Sequence, residues 1–71
     1  MERIAINSSM IASIGYDPSN GTLEVEFKKS GPIWQYYDVP ENVWHELQSA
    51  SSQGQYFITN IRDRFGSSKV G

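Results

Sequence analysis

Between two turn signals, residues Thr22 to Lys28 (TLEVEFK) alternate strictly. Leu23, Val25 and Phe27 point one way; Glu24, Glu26 and Lys28 point the other. That period of two is the mark of a strand with one wet face. The flanking signals fix what it pairs with. Asp17-Pro18-Ser19-Asn20-Gly21 combines a proline that presets φ with an Asn-Gly pair that tolerates positive φ. Ser30-Gly31-Pro32 marks a second reversal. On either side lie Met10 to Tyr16 (MIASIGY) and Ile33 to Tyr37 (IWQYY), both rich in β-compatible residues. A three-stranded antiparallel meander follows. Met1 to Asn7 reads as a lead-in or as an extra short strand from Ile4.

Register arithmetic sharpens this. Directly opposed residues of a hairpin share a face. A turn over Pro18 to Gly21 opposes Leu23 to Tyr16 and Val25 to Ile14. A second loop of even length, either Ser30-Gly31 or Lys29 to Pro32, opposes Phe27 to Trp34 and Val25 to Tyr36. The expected core face is then Met10, Ala12, Ile14, Tyr16, Leu23, Val25, Phe27, Trp34 and Tyr36. Ile11, Glu24, Glu26, Ile33, Gln35 and Tyr37 fall on the open face.

The remainder reads as helix. Pro40 suits a first helical turn, where its missing N–H costs nothing, and Glu41 complements the helix dipole. Val43, Leu47 and Ala50 share a face. Ser52 and Gln55 have capping-box spacing. Phe57, Ile61 and Phe65 then recur at intervals of four, with Gly66 placed to end the stripe. The expected fold is α+β, β-β-β-α-α, with two helices packed on one sheet face. The chain reads as a single domain over 1–71, ordered from about residue 8 to 65, with a loose tail over 67–71.

A chain of 71 residues buries little surface, and the absence of cysteine excludes disulfides and thiolate zinc. Nine aromatic residues, 13% of the chain, must supply the core instead. No basic segment precedes a long apolar run, so no signal peptide or membrane span is expected, and a monomeric cytoplasmic protein is the simplest reading. The net charge of −2 argues against tight, non-specific nucleic-acid binding but leaves room for a local basic patch.

Two stretches look like a known family. Ser8 through Asp17 (SSMIASIGYD), Leu23 to Phe27 and the run from Gly31 to Asp38-Val39-Pro40 form the first. Ala50 to Phe57 (ASSQGQYF) with Ile61-Arg62 forms the second. Together they resemble the KTSC domain, known as a C-terminal appendage of some lysyl-tRNA synthetases and as stand-alone bacterial and phage proteins. The resemblance implies a non-catalytic accessory module with RNA, tRNA in particular, as partner. It departs from the family pattern twice. Trp34 stands where the family's Tyr-x-Tyr motif opens, exchanging a phenolic hydroxyl for an indole N–H. Ile58 stands where an Asn often follows the Tyr-Phe pair.

Each candidate site has a plainer reading beside it. Trp34 and Tyr36 offer stacking plates for unpaired bases, but the register assigns them to the core, and on the open face they would neighbour Glu24 and Glu26. Lys28 and Lys29 at a hairpin tip, with Arg62 and Arg64 near the C-terminus, are the candidate nucleic-acid contacts, Lys69 lying close by. Asp63 between the arginines dilutes their field. His45, the only histidine, has Glu41 one turn before it; that spacing fits a surface i,i+4 contact better than a metal or general-base site. No Gly-x-Ser-x-Gly elbow exists among the serines. Gly54 in the first turn of the second helix marks close packing, or a backbone N–H left open for an anion. No cofactor or metal is expected. The alternative function is a protein-interaction module docking through the open sheet face or an edge strand.

Overall fold

The computed structural model describes residues 1–71. The element order is β1 (Ile4–Ala5), β2 (Ile11–Asp17), β3 (Thr22–Phe27), β4 (Ile33–Tyr36), α1 (Glu41–Ser49), α2 (Gln53–Asn60) and β5 (Ser67–Lys69). The strands form one five-stranded antiparallel sheet in the order β1-β2-β3-β4-β5. The three-stranded meander is therefore its centre, widened by one short strand at each edge.

The first hairpin has the expected register, with Ile14 opposite Val25 and Tyr16 opposite Leu23. In the second, the expected parity holds but the pairing slides by two residues: Val25 faces Trp34 and Leu23 faces Tyr36. The cause is a different even loop. Phe27 N–H donates to the Pro32 carbonyl at 2.9 Å, so the loop is Lys28 to Gly31, with Ser30 and Gly31 at φ 67° and 65°.

One expectation about the core and one about the tail are corrected. Ile11, expected on the open face, is fully buried. The register shifts between Ile11 and Ser13, where Ala12 is bulged, and this swings Ile11 opposite Phe27 onto the helix face. The tail over 67–71 is not loose. Tyr36 faces Ser67 and Trp34 faces Lys69, while Val70 N–H and Ile33 N–H donate to the carbonyls of Ile33 and Gly71 at 2.8 and 3.2 Å. A Ser-Ser-Lys strand carries no hydrophobic alternation; backbone pairing alone makes it.

Both helices cover the same face. Ser52 caps α2, its hydroxyl accepting from Gln55 N–H at 3.3 Å. The helix stops at Asn60, short of the stripe's end at Phe65. Ile61 N–H and Arg62 N–H both donate to the Phe57 carbonyl at 3.0 Å, and Ile61 leaves helical geometry at φ −123°. The core gathers Ile11, Ile14, Leu23, Val25 and Tyr36 from the sheet with Val39, Leu47, Phe57 and Ile61. Phe57 is its hub, edge-on to Phe27 at 5.4 Å and to Tyr36 at 5.3 Å. Tyr16 stacks on Trp44 at 5.5 Å and donates to the Val39 carbonyl at 2.6 Å, fastening α1 over the other end of the sheet.

The opposite face carries a belt of polar side chains. Arg3 reaches across β2 to the Glu24 carboxylate and bonds Ser13 Oγ, which donates to Glu26 at 2.8 Å. Gln35 donates to Glu24 at 2.9 Å; Tyr37 donates to Gln35 at 3.2 Å and lies 2.6 Å from Ser68 Oγ. The belt crosses β2 to β5, and its glutamates are occupied by neighbours.

No helix is long and apolar enough to cross a membrane.

Candidate nucleic-acid interface

The helices do not close the sheet completely. Between the β3–β4 end of the helix face and the turn after α2 lies an open cleft of about 400 Å³. Phe27, Tyr36 and Phe57 line it on the core side, Met10 and Trp34 contribute further apolar surface, and Arg62, Asp63 and Ser67 supply the polar edge. Trp34 shares the face of Val25 and Leu23, as the register demands, but is only half-buried, as is Phe27. The expectation of a closed core thus holds for Tyr36, at 4% exposure, and fails for Trp34. The early end of α2 explains it: the chain turns away at Ile61 before a helix can cover β4.

The candidate cations lie in the segments that frame this opening. Arg62 lines it. Arg64 lies two residues further in the same turn, its N–H bonded to the Ile61 carbonyl at 3.0 Å. Lys28 follows Phe27 directly and donates its backbone N–H to the carbonyl of the lining residue Met10 at 3.0 Å. Lys29 is next on the exposed hairpin tip. Lys69 stands outside the set expected from sequence, but strand pairing puts it opposite Trp34 on the cleft side. Among the carboxylates Asp63 alone lines the cleft, 3.7 Å from Arg62 Nε. Glu24 and Glu26 are on the reverse face, as the alternation of the strand required, and do not neighbour Trp34 or Tyr36.

The acidic groups gather elsewhere. Asp17 sits at the β2–β3 turn, at the other end of β3 from the lysines, and Asp38 packs beside Gly21 of that turn. Burial, and then the negative charges of Glu41 and Asp17, raise the pKa of Tyr16, which places Glu41 at the same end.

A second hollow, of about 330 Å³, opens between the loop before β2 and the start of α2. It is lined by Ser8, Ser9, Ser52, Gln53, Gly54 and Gln55 among others, none of them charged. A Cβ on Gly54 would sit 3.3 Å from Ser8 Oγ and 3.6 Å from Met10 Cε. Close packing of α2 on the loop is therefore what the glycine permits. His45 makes the expected surface contact, its Nε2 3.4 Å from Glu41. No group of three or more histidine or acidic side chains converges as a metal site would need.

Comparison with known proteins agrees with the architecture. A crystal structure of a KTSC domain protein from Yersinia pestis superposes with a TM-score of 0.94 at 41% identity, covering 99% of this chain and 97% of that one. An uncharacterized protein of Stutzerimonas stutzeri is 46% identical over 57 residues, 80% of this chain and 79% of its own length. A lysine–tRNA ligase of a Nostoc species is 44% identical over 57 residues, and there the matched stretch is only 10% of the ligase. The model of the KTSC domain matches residues 7–65, which hold the central strands, both helices and all but Lys69 of the cleft's cations, leaving the two edge strands outside. With this much of the chain matched, and a solved member so alike in structure, the protein belongs to the KTSC domain family.

Proposed function

We propose that this chain is a non-catalytic accessory module that contacts RNA through the basic rim of the aromatic cleft. The supporting observation is the segregation of charge. Of six Lys and Arg residues, Arg3 is spent on Glu24 across the reverse face, and the other five (Lys28, Lys29, Arg62, Arg64, Lys69) lie around the cleft or in the segments that frame it. A net charge of −2 conceals this, because most carboxylates are at the far end or behind the sheet. Phosphate neutralisation by such a patch supplies sequence-independent affinity. Relatives that carry this domain as a tenth of their length are lysine–tRNA ligases, which makes tRNA the first RNA to try.

The alternative, a protein docking on the open sheet face, has less behind it. Glu24, Gln35 and Tyr37 there already satisfy one another, and Ile11 is absent from that face.

The test is an amide NMR titration of the labelled chain with tRNA and with a short single strand, at low and physiological salt. Salt-sensitive shifts at Lys28, Lys29, Arg62, Arg64 and Lys69 are expected. Replacing Lys28 and Lys29 by serine should weaken binding uniformly across sequences. The slope of log affinity against log salt should flatten by about one for each phosphate no longer neutralised. An absence of shifts at low salt would overturn the proposal.

A further inference from the structure

Tyr36 is the informative residue in the cleft. Three of the four tyrosines place their hydroxyls on a protein partner: Tyr16 on Val39, Tyr37 on Ser68 and Tyr56 on Glu46, at 2.6 to 2.7 Å. The Tyr36 hydroxyl has no protein partner, although the residue is only 4% exposed. No polar side-chain atom in the molecule is both fully buried and unpaired, so this hydroxyl opens onto the cleft that Tyr36 lines. Burial, opposed by Arg62 and aided by Asp63, raises its pKa, so it stays a hydrogen-bond donor at neutral pH.

An occupant must therefore do two things. It must lay a flat apolar face against Phe27, Trp34 and Phe57, and it must bring a polar edge to the hydroxyl below. A leucine or phenylalanine side chain from a protein partner does only the first and leaves the hydroxyl buried and unsatisfied. A nucleobase does both, and it brings an anionic linkage to the rim where Arg62 stands. A volume of about 400 Å³ is at the small end for a ligand site and suits one ring system, not a duplex.

We infer that the cleft holds a single unpaired base of an RNA strand, stacked against Trp34 and hydrogen-bonded by the Tyr36 hydroxyl, with the adjoining phosphate on Arg62. This rests on the RNA-contact reading above and adds to it a preference for unpaired over paired RNA that surface charge alone does not give.

The experiment is fluorescence anisotropy of a labelled short oligoribonucleotide, single-stranded and as a perfect duplex. It is run at low salt with the full chain, Tyr36→Phe, Trp34→Leu and the Lys28→Ser/Lys29→Ser variant. The single strand should bind about tenfold more tightly than the duplex. Trp34→Leu should lose about tenfold for the single strand, and Tyr36→Phe about fivefold, with little change for the duplex. Tyr36→Phe guards against unfolding, since its hydroxyl holds nothing in the protein and its thermal midpoint should match wild type. Equal affinity for both RNAs, unmoved by Tyr36→Phe or Trp34→Leu yet reduced by the lysine variant, would overturn the inference while sparing the charged interface. Binding of neither RNA would overturn both.

Discussion

Arg3 lies over the α-carbon of Gly15 and delivers its guanidinium to the Glu24 carboxylate two strands away. Gly15 is the residue opposite Glu24 in the β2–β3 ladder, and its missing side chain leaves the channel through which Arg3 passes. A glycine on β2, an arginine beside β1 and a glutamate on β3 thus work as one unit.

Arg3→Ala should lower the unfolding free energy by about 1–3 kcal/mol, because it strands a nearly buried carboxylate. Burial pushes the Glu24 carboxyl up, but the Gln35 amide, the Arg3 hydrogen bond and the Arg3 charge together hold it below its ordinary value of 4.5. A folded pKa below the unfolded one gives stability that is present above about pH 4.5 and fades as pH falls through the folded value. Urea titrations between about pH 7 and pH 3 should therefore show the wild-type advantage over Arg3→Ala shrinking on the acid side.

Gly15→Ala tests the same unit from the other strand. The new methyl would collide with the Glu2 carbonyl and stand 3.1 Å from Arg3 Cγ. It should cost about 1–3 kcal/mol and, by nuclear Overhauser contacts, detach residues 1–5 from the sheet.

Tyr56→Phe removes a bond between the helices, since the Tyr56 hydroxyl donates to Glu46 at 2.7 Å. The site is partly solvated, and the expected loss is about 0.5–1 kcal/mol. Burial, then the hydrogen bond and charge of Glu46, push the Tyr56 pKa up to about 12. Stability from a raised pKa is complete below about pH 10 and is lost as pH rises toward 12. In a spectrophotometric tyrosinate titration the variant should lack the step near 12.

Ser30→Gly should stabilise. Ser30 holds φ at 67° in the β3–β4 loop, where an L side chain crowds its own carbonyl. Glycine relieves this at some entropic cost, leaving about 0.5–1 kcal/mol net, readable as a rise in thermal midpoint.

Strict alternation in β3 made the meander legible, since it allows only one face to be buried. Parity carried over to β4, but the choice between even loops did not: Ser30 in a left-handed conformation is not a preference its sequence announces. Ser52 as a cap and the Glu41–His45 contact follow from spacing within one helical turn. What stayed hidden depends on distant parts of the chain. The bulge that buries Ile11 gives no local signal, and β5 exists because β4 presents an unpaired edge to three polar residues. The cleft was hidden for a related reason. A stripe of Phe57, Ile61 and Phe65 looks like one helix, and only its early end leaves Trp34 and the Tyr36 hydroxyl uncovered. Among the cations, Lys69 needed the β4–β5 pairing to be placed beside Trp34.

The gathering of Asp17, Asp38 and Glu41 at one end of the sheet, with five of the six lysines and arginines toward the other, has a consequence for motion as well as for contact. Such a molecule has a permanent electric dipole along the strands. In the field of a polyanion it turns before it touches, so that the hairpin tip and the cleft come round first. The gain from this appears in the rate of encounter and is erased by salt within a Debye length of about 10 Å at 0.1 M. Under the proposed RNA contact, a chain whose formal charge would slow its approach would still arrive with the cleft foremost.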